Sequence, residues 1–342
     1  MSGEWLVAVR LRQLGDVLAA LEVLRAIKAA RPERRVAYVV EGTYAELVHN
    51  EPYIDLVSSP PRGGAGAWLS YLRGLRALGA AEAVDFHGSA RSALITLASG
   101  ARRRVGFDVR VRRRAYTVVE PRGEFREGRR VPHTPITWGM RLARHVGATA
   151  ADDLPPALAA PPGARARALE RLCAAGVSRE AVDAGRLVGL NPGRPVASKS
   201  WPGGRFVELS RRLAARGYQV LVFWGPGEEA VAGTIASESG AVLAPRLSLA
   251  ELPAALPACA ALVTIDSGLK HLAVCARVPT VTVFGSTDPR EWHMGTARDA
   301  VVWRALSCSP CRRLACPFGA PCMDVAVDTV LAALTRAMGG AP

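Results

Sequence analysis

The sequence contains no apolar run that approaches the roughly 20 residues a helix needs to cross a bilayer. Its first 16 residues also lack the unbroken apolar core of a secretory signal peptide, because charged residues interrupt them at positions 4, 10, 12 and 16. With 342 residues, 49% of them hydrophobic, the chain is long enough for two domains of about 100–200 residues each. These features predict a cytoplasmic protein with two domains.

Three motifs of nucleotide and metal chemistry are missing as well. Neither half of the chain carries G-x-G-x-x-G after its first predicted strand, and neither G-x-x-x-x-G-K-[ST] nor H-E-x-x-H occurs. Their absence argues against a standard NAD-dependent dehydrogenase, a P-loop NTPase and a zinc protease.

Lysine is scarce although the chain is strongly basic. Lys+Arg total 44 against 30 Asp+Glu, giving a net charge of +14, yet only three of the cations are lysines: Lys28, Lys199 and Lys270. A field of this sign attracts nucleic acid, an anionic membrane or phosphorylated small molecules. An ammonium is a compact point charge and a guanidinium a planar fork, so a lysine kept in an arginine-rich chain indicates a site that needs it.

What the chain does contain is a regular succession of apolar strands and amphipathic helices. Strands are predicted at residues 5–10, 35–40, 54–58 and 81–86, and again at 187–190, 219–223, 261–265 and 280–284. Helices are predicted at residues 16–30, 67–78 and 88–98, and again at 204–216, 227–239, 248–256 and 268–276. This alternation predicts an α/β fold with parallel sheets covered on both faces. Residues 152–165, with four prolines, are predicted to be a linker between two doubly wound, Rossmann-like domains that face a central cleft.

Two strand-to-helix turns are candidate sites because ligands of such sheets bind at the carboxyl ends of the strands. In the first turn Gly15 permits a tight bend and Asp16 falls in the first helical turn, where an acid is also common without any function. In the second, Asp266, Ser267 and Gly268 precede a helix whose free N–H groups are suited to phosphate, and Lys270 adds a point charge. A merely capped helix is the alternative there.

Two further turns lie at the ends of strands in the second half. Asn191 and Gly193 lead to Lys199 and Trp201, either as a ligand loop or as a polar surface loop whose base Trp201 covers. The next strand is followed by the pair Glu228 and Glu229. An acid there could accept hydrogen bonds from ribose hydroxyls, or the pair could simply favour a helix N-terminus.

These segments together resemble the family 9 glycosyltransferases, the lipopolysaccharide heptosyltransferases. The resemblance covers most of the chain and rests on several motifs in the same order: VRLRQLGDVLAALEVLRAIKA, EPYIDLV, DFHGSARSALI, RRVGFD, GLNPGRPVASKSWP and TIDSGLKHLAVCARVPTVTVFGSTDP. It implies the GT-B architecture, with an acceptor-binding domain at residues 1–155 and a nucleotide-sugar donor domain at 156–323. A final helix within residues 324–342 is expected to pack back on the N-terminal domain.

The resemblance also implies an activity. Family members transfer heptose from ADP-L-glycero-D-manno-heptose to the inner core of lipopolysaccharide, with inversion and without a required metal. The implied partners are the ADP-heptose donor, a Kdo-lipid A or heptosylated core acceptor, and the cytoplasmic face of the inner membrane, with the protein expected to be a monomer. Alternatives are another nucleotide-sugar donor, a later core acceptor, or a non-enzymatic nucleotide- or nucleic-acid-binding protein.

Residue roles follow from the same resemblance. Asp16 matches the general base, and Lys199 with the N–H groups of residues 267–270 would stabilise the ADP leaving group. Asp266 and His271, with Leu269 between them, match the donor-site motif, and Glu228 or Glu229 matches the ribose acid. The acceptor side would include Gly15, Arg12 and Gln13, although relatives often carry small hydroxyl residues at the last two positions.

An arginine cluster and a cysteine cluster stand apart from these motifs. Seven arginines at 102–104, 110 and 112–114 face one acid, Asp108, which predicts contact with an anionic acceptor or membrane through residues such as Arg102, Arg104 and Arg112. A solvated loop is the alternative, and nucleic acid is not expected because no binding motif or aromatic platform accompanies the charge. Four thiols, Cys308, Cys311, Cys316 and Cys322, are either a structural zinc or iron–sulfur site or plain reduced cysteines.

Overall fold

The computed structural model describes residues 4–127, 129–152 and 155–339. The chain divides into two compact units, Met1–Ala159 and Ala160–Pro342. The division falls within the predicted linker, a few residues after the predicted boundary at residue 155. Each unit is described by itself below.

The first unit is built on a six-stranded parallel sheet. Its strands are β1 (Trp5–Val9), β2 (Arg35–Val39), β3 (Leu56–Ser58), β4 (Glu82–Asp85), β5 (Arg103–Asp108) and β6 (Val118–Pro121). They lie in the order β3-β2-β1-β4-β5-β6, and all five pairings are parallel. This is the doubly wound order, with its switch point between β1 and β4.

Helices cover the sheet of the first unit. They are α1 (Leu14–Ala30), α2 (Gly42–Val48), α3 (Ala65–Ala77), α4 (Ala90–Ala98) and α5 (Pro135–Ala143), with 3-10 turns at Arg110–Ala115 and Arg144–Val146 and a short antiparallel pair, β7 (Phe125–Arg126) and β8 (Arg129–Arg130). Helix α1 is buried along most of its length and packs closely on α5. A Cβ at Gly139 of α5 would lie only 2.7 Å from Val23 of α1, so a larger residue there would push the helices apart.

The second unit repeats the same plan. Its strands are β9 (Leu187–Asn191), β10 (Gln219–Val222), β11 (Val242–Leu243), β12 (Ala261–Ile265), β13 (Thr280–Phe284) and β14 (Ala300–Trp303), in the parallel order β11-β10-β9-β12-β13-β14. The helices are α6 (Ala164–Ala174), α7 (Arg179–Asp183), α8 (Gly203–Ala214), α9 (Glu229–Ser239), α10 (Leu252–Ala255), α11 (Gly268–Cys275), α12 (Pro289–Trp292) and α13 (Val327–Ala337), with 3-10 turns at Leu256–Ala258 and Pro321–Met323. The α/β architecture of two parallel, doubly wound sheets is therefore confirmed.

The last helix, α13, packs on the second sheet. Its apolar side chains, among them Val330, Leu331 and Leu334, belong to the same core as strands β9, β12 and β13. Its apolar stripe is thus buried within its own unit, and the expected packing on the N-terminal domain stays a prediction.

Two strands of the first unit, β5 and β6, were not expected from the apolar pattern. Strand β5 begins with Arg103 and Arg104, and β6 alternates between half-buried and exposed residues.

Among the residues that the structure describes, no helix combines the length and the apolar character needed to cross a membrane.

Candidate active site

Both units place polar residues at the carboxyl edge of the sheet, beside the switch point. In the first unit this edge carries the turns that follow β1 and β4, and in the second unit the turns that follow β9, β10, β12 and β13. The four turns selected from the sequence all lie at these edges. Ligands of doubly wound sheets bind in this position.

Asp16 is held by a half-buried arginine at the edge of the first sheet. Arg10 forms an ion pair with the Asp16 carboxylate and donates from Nη1 to the carbonyl oxygen of Phe86 at 2.6 Å. Burial raises the pKa of Asp16 above its ordinary value, against the opposing effects of Arg10 and, more weakly, Arg122. A carboxylate with a raised pKa, fixed by one partner, is suited to accept a proton.

The turn before Asp16 adopts a costly backbone conformation. Gln13 precedes helix α1 with φ 74°, a left-handed value that is uncommon for a residue other than glycine. Its side chain does not cap the helix, so the first N–H groups of α1 have no side-chain partner from it. Arg12 and Gln13 are exposed and Gly15 is buried, which places the two residues predicted for the acceptor side at the surface of this edge.

His87, which the sequence interpretation did not select, lies at the same edge immediately after β4. Its Nδ1 is buried without a hydrogen-bond partner among the described residues. Burial, followed by the charges of Arg10, Arg12, Arg91 and Arg122, lowers the pKa of His87 to about 4. The imidazole is therefore neutral near pH 7. The rule that ligands bind at carboxyl ends of strands could have identified it.

A buried carboxylate anchors the turn that carries His87. Asp85 accepts hydrogen bonds from the backbone N–H groups of His87 and Gly88 at 2.8 and 2.9 Å, and from the Tyr116 hydroxyl at 2.6 Å. The Tyr116 ring covers Gly106 of β5 so closely that a Cβ there would lie 2.4 Å from the ring. The network thus ties the turn after β4 to the neighbouring strand.

In the second unit, Asp266 binds two of the three lysines of the chain. Lys199 Nζ lies 3.1 Å from Asp266 Oδ2, Lys270 Nζ lies 3.3 Å from Oδ1, and the Thr287 hydroxyl donates to Oδ2 at 2.8 Å. Burial alone would raise the pKa of Asp266, but Lys270 and then Lys199, with smaller contributions from His271 and Thr287, outweigh it and hold the pKa at about 2. Asp266 is therefore an anion that fixes Lys199 at the edge of the sheet.

The structure corrects the direct phosphate-binding role predicted for Lys270. Its side chain is only 2% exposed, and besides Asp266 it donates to the carbonyl oxygen of Trp292 at 2.6 Å and lies over the Phe284 ring. Burial lowers the pKa of Lys270, and Asp266 opposes that effect. Lys270 therefore binds Asp266 from the interior of the unit and does not face a ligand.

A second network supports the start of helix α11. Asn191 is buried, and its Oδ1 accepts hydrogen bonds from the hydroxyls of Thr264 and Ser267 at 3.2 and 3.1 Å. Because the Ser267 side chain is used in this way, it does not cap α11, and the first N–H groups of that helix keep the capacity to bind an anion. Gly268 and Leu269, in the first turn of α11, are half-buried.

The same asparagine holds one of the two candidate ribose acids. Its Nδ2 lies 3.2 Å from Glu228 Oε2, which also accepts from the backbone N–H of Gly225 at 2.9 Å. Glu229 is exposed in the first turn of α9. The structure therefore brings Glu228, and not Glu229, into the network of this edge.

His271 lies beneath the first turn of α11. It is buried, its Nδ1 lacks a hydrogen-bond partner among the described residues, and its ring meets Trp292 edge-on at 6.5 Å. Burial and the charge of Lys270 lower its pKa well below the ordinary value, so the ring is neutral.

The loop that carries Lys199 is pinned at both ends. Gly193 has φ 66°, and a Cβ there would lie 2.6 Å from Ile265, so only glycine fits. Ser198 accepts at its carbonyl oxygen from the Ser286 N–H at 3.0 Å.

Trp201, predicted to bind the donor, is instead a core residue: it is 2% exposed and donates from Nε1 to the Val325 carbonyl oxygen at 2.9 Å. The alternative interpretation, in which Trp201 covers the base of the loop, is the one observed.

The arginine cluster does not form a single patch. Arg103 pairs in register with Glu82 at the amino end of β4, so residues 102–104 lie at the edge opposite Asp16. Arg104 is also used structurally, donating to the carbonyl oxygens of Ala101 and Ala115 at 2.7 Å. Arg102 and Arg104 are therefore wrongly placed as acceptor-binding residues, whereas Arg112 lies in the 3-10 turn that leaves the carboxyl end of β5.

The four clustered cysteines do not fit a metal site as arranged. None is in a disulfide; Cys308 is exposed and Cys322 buried, and burial, with smaller effects of the other three thiols, raises the pKa of Cys322. Within the described parts of the chain, no group of three or more His, Cys, Asp or Glu side chains is positioned to hold a metal ion. The two interpretations of the cluster, a structural zinc or iron–sulfur site and plain reduced thiols, both stay predictions.

Comparison with known proteins adds to this geometry. Residues 68–321 match the model of glycosyltransferase family 9 (heptosyltransferase). The chain is 26% identical over 341 residues to lipopolysaccharide heptosyltransferase 1 of Pseudomonas aeruginosa, covering 91% of this chain and 86% of that protein.

Solved structures show the same fold. A family 9 glycosyltransferase from Veillonella parvula superposes with a TM-score of 0.85 at 20% identity, covering 99% of this chain and 98% of the other. The E. coli ADP-heptose lipopolysaccharide heptosyltransferase II gives a TM-score of 0.79 at 20% identity, covering 98% of each chain.

The two doubly wound units and their likeness to these structures give the chain the GT-B architecture. The family model covers well over half of the sequence, and the chain accordingly belongs to glycosyltransferase family 9, the heptosyltransferase family.

Proposed function

We propose that the protein transfers heptose from ADP-L-glycero-D-manno-heptose to the inner core of lipopolysaccharide, with inversion at the anomeric carbon. The proposal rests on the different polar groups that the two units hold at the carboxyl edges of their sheets. The first unit holds a carboxylate of raised pKa, Asp16, and the second holds a lysine, Lys199, fixed beside an uncapped helix. One group is suited to remove a proton and the other to receive a diphosphate.

In this reaction Asp16 accepts the proton of the acceptor hydroxyl as its oxygen attacks the anomeric carbon. A single displacement inverts that carbon and needs no enzyme nucleophile. The bond to the ADP oxygen breaks at the same time. Lys199 and the N–H groups that open α11 stabilise the charge that develops on the diphosphate.

The donor and its nucleotide are proposed from the relatives and from the second unit. The E. coli relative is an ADP-heptose lipopolysaccharide heptosyltransferase, and Glu228 stands where an acid can accept hydrogen bonds from ribose hydroxyls. A Kdo-lipid A or heptosylated core acceptor follows from the lipopolysaccharide heptosyltransferase relatives. We further propose a cytoplasmic monomer that works at the inner membrane.

The donor is tested by thermal unfolding of the full chain with ADP, ADP-heptose, UDP, GDP and NAD. A ligand at about 100 times its dissociation constant adds roughly 2.7 kcal/mol of stability, which raises Tm measurably. We expect a selective response to ADP and ADP-heptose. A response to UDP or GDP instead would keep the fold and replace the donor, and no response to any nucleotide would contradict the proposal.

The nucleotide contact is tested with Lys199→Ala, and Lys28→Ala is the matched control. Lys28 is bound to Asp55 at 2.9 Å in the first unit, remote in sequence from the donor residues. We expect Lys199→Ala to lose most of the ADP response and Lys28→Ala to keep it. An unchanged response of Lys199→Ala would return this lysine to a surface role.

A further inference from the structure

A strip of exposed apolar side chains runs along the outside of the first unit. Leu94 and Leu97 of helix α4 are 50% and 46% exposed, and Val111 of the neighbouring 3-10 turn is 73% exposed. The helix and the turn lie side by side, because Ala93 of α4 packs in one small cluster with Ala115 and Tyr116 at the end of the turn. Exposed apolar residues grouped in this way, with polar residues around them, are typical of a contact surface.

The same strip is flanked by positive charge. The 3-10 turn contributes Arg110, Arg112 and Arg114, none of which has an ion partner among the residues described, whereas Arg113 is paired with Asp108 at 3.4 Å. We call Leu94, Leu97 and Val111, together with these three unpaired arginines, the α4 surface. It combines apolar side chains with about three uncompensated positive charges.

The α4 surface adjoins the edge that holds Asp16. Helix α4 begins at Ala90, three residues after His87, and the 3-10 turn begins just beyond Asp108, the last residue of β5. Both segments therefore begin at the carboxyl edge of the sheet. An acceptor sugar attached to a lipid would meet this edge if the lipid were held against the surface.

We propose that the α4 surface binds an anionic phospholipid bilayer. Leu94, Leu97 and Val111 enter the interface between headgroups and acyl chains, and the three arginines pair with lipid phosphates. Arginine suits this position because its planar fork binds phosphate oxygens in pairs. The inference rests on the proposed function in one respect: the lipid-linked acceptor is the reason for the enzyme to bind a bilayer.

A bilayer explains this combination better than nucleic acid does. Single-stranded nucleic acid is bound by aromatic side chains interleaved with cations, and the α4 surface has apolar leucine and valine in their place. Positive charge next to aliphatic side chains matches an anionic headgroup layer over acyl chains.

The test is sedimentation of the full chain with phosphatidylcholine vesicles, with or without phosphatidylglycerol. We expect binding only to the anionic vesicles, and its loss at high salt as the charges are screened. The variant Arg110→Gln, Arg114→Gln should weaken partitioning by about 25-fold, since each basic residue contributes about a factor of five. The variant Leu94→Asp, Val111→Asp should weaken it by at least about tenfold.

The matched control is Leu314→Asp in the second unit. Leu314 is 70% exposed and follows Arg312 and Arg313, so it reproduces an exposed apolar residue beside arginines elsewhere on the chain. We expect this variant to bind vesicles as the wild type does. All altered side chains are exposed, and an unchanged Tm confirms that each variant is folded.

Wild-type protein that stays in the supernatant with both kinds of vesicle would overturn the inference, as would variants that bind like the wild type. Retention of single-stranded RNA without vesicle binding would assign the surface to nucleic acid. The vesicles contain neither donor nor acceptor, so vesicle binding is measured independently of transfer. Transfer of heptose to a deacylated core oligosaccharide should be equal in the wild type and both variants, and its absence from all three would count against the proposed function alone.

Discussion

At the scale of single residues, Asp16 shows how a carboxylate can be prepared for proton transfer. Arg10 keeps it in one position and favours the ionised form, while burial favours the protonated form and is the larger effect. The net result is a carboxylate with a raised pKa, which suits the proposed role of general base.

This balance predicts the pH dependence of the reaction. The base is active only when ionised, so kcat/KM for transfer should fall as the pH decreases through the Asp16 pKa, above the roughly 3.9 of an ordinary aspartate.

Asp16→Asn should abolish transfer, by a factor of about a hundred or more, and leave the ADP response of Tm unchanged. Turnover close to wild type in this variant would remove Asp16 from the role of base.

The pair formed by Asp266 and Lys270 predicts a strongly non-additive effect on stability. Asp266→Asn leaves the Lys270 ammonium buried without an anion, and we expect a loss of about 3–5 kcal/mol in the free energy of unfolding at pH 7. Lys270→Met costs less, because Asp266 keeps Lys199 and Thr287. The variant carrying both changes should recover much of the loss, as replacement of a whole buried pair is often nearly neutral.

Chemical denaturation of the four proteins checks this cycle. We expect a coupling energy of about 1–3 kcal/mol between the two positions. Effects that simply add would mean that the lysine does not hold the carboxylate.

The pKa of about 2 for Asp266 gives a second check. The contribution of the Asp266 carboxylate to stability is complete above about pH 5 and disappears as the pH falls toward 2, since the folded-state pKa lies below that of the unfolded chain.

At the scale of structural elements, the strands with a continuous apolar pattern could be predicted from the sequence, and strands without one could not. Strands β1, β9, β12 and β13 are rich in apolar residues and buried along nearly their whole length, because helices cover both of their faces. Strand β5 begins in a run of arginines, so no apolar pattern indicates it.

The residues of the candidate site could also be predicted only in part. The turns were found because they follow buried strands, but the burial of Trp201 and Lys270 depends on neighbours such as Val325 and Trp292 that are remote in sequence. His87 and Thr287 were missed because their significance lies in contacts that only the folded chain creates.

The link between β5 and the turn after β4 gives a prediction at this scale. Tyr116→Phe removes the 2.6 Å hydrogen bond to buried Asp85, and we expect the free energy of unfolding to fall by about 1–3 kcal/mol. The control is Tyr71→Phe: among the described residues its half-buried hydroxyl accepts from Ser58 at 3.2 Å, and its removal should cost under about 1 kcal/mol. Equal losses in the two variants would show that the Asp85 network does not support the fold specifically.

At the scale of the whole molecule, the proposed chemistry is divided between two units that each have their own sheet and core. The proposed base and the α4 surface belong to the first unit, and the lysine network and the uncapped helix α11 belong to the second. The same doubly wound plan therefore carries different polar groups at equivalent edges. Under the proposed function, one edge serves the acceptor and the other the donor.

This division predicts where a nucleotide protects the backbone of the full chain. With ADP at about 100 times its dissociation constant, hydrogen exchange should slow by up to about a hundredfold at the start of α11 and in the loop of residues 191–201, because the diphosphate accepts hydrogen bonds from those N–H groups. Amides of residues 85–92 in the first unit should exchange at their unliganded rates. UDP at the same concentration is the control and should protect neither region. Protection by ADP confined to residues 10–17 would place the nucleotide in the first unit and contradict the assignment of the donor edge, whereas protection at α11 with none at residues 10–17 leaves the edge around Asp16 open for the acceptor.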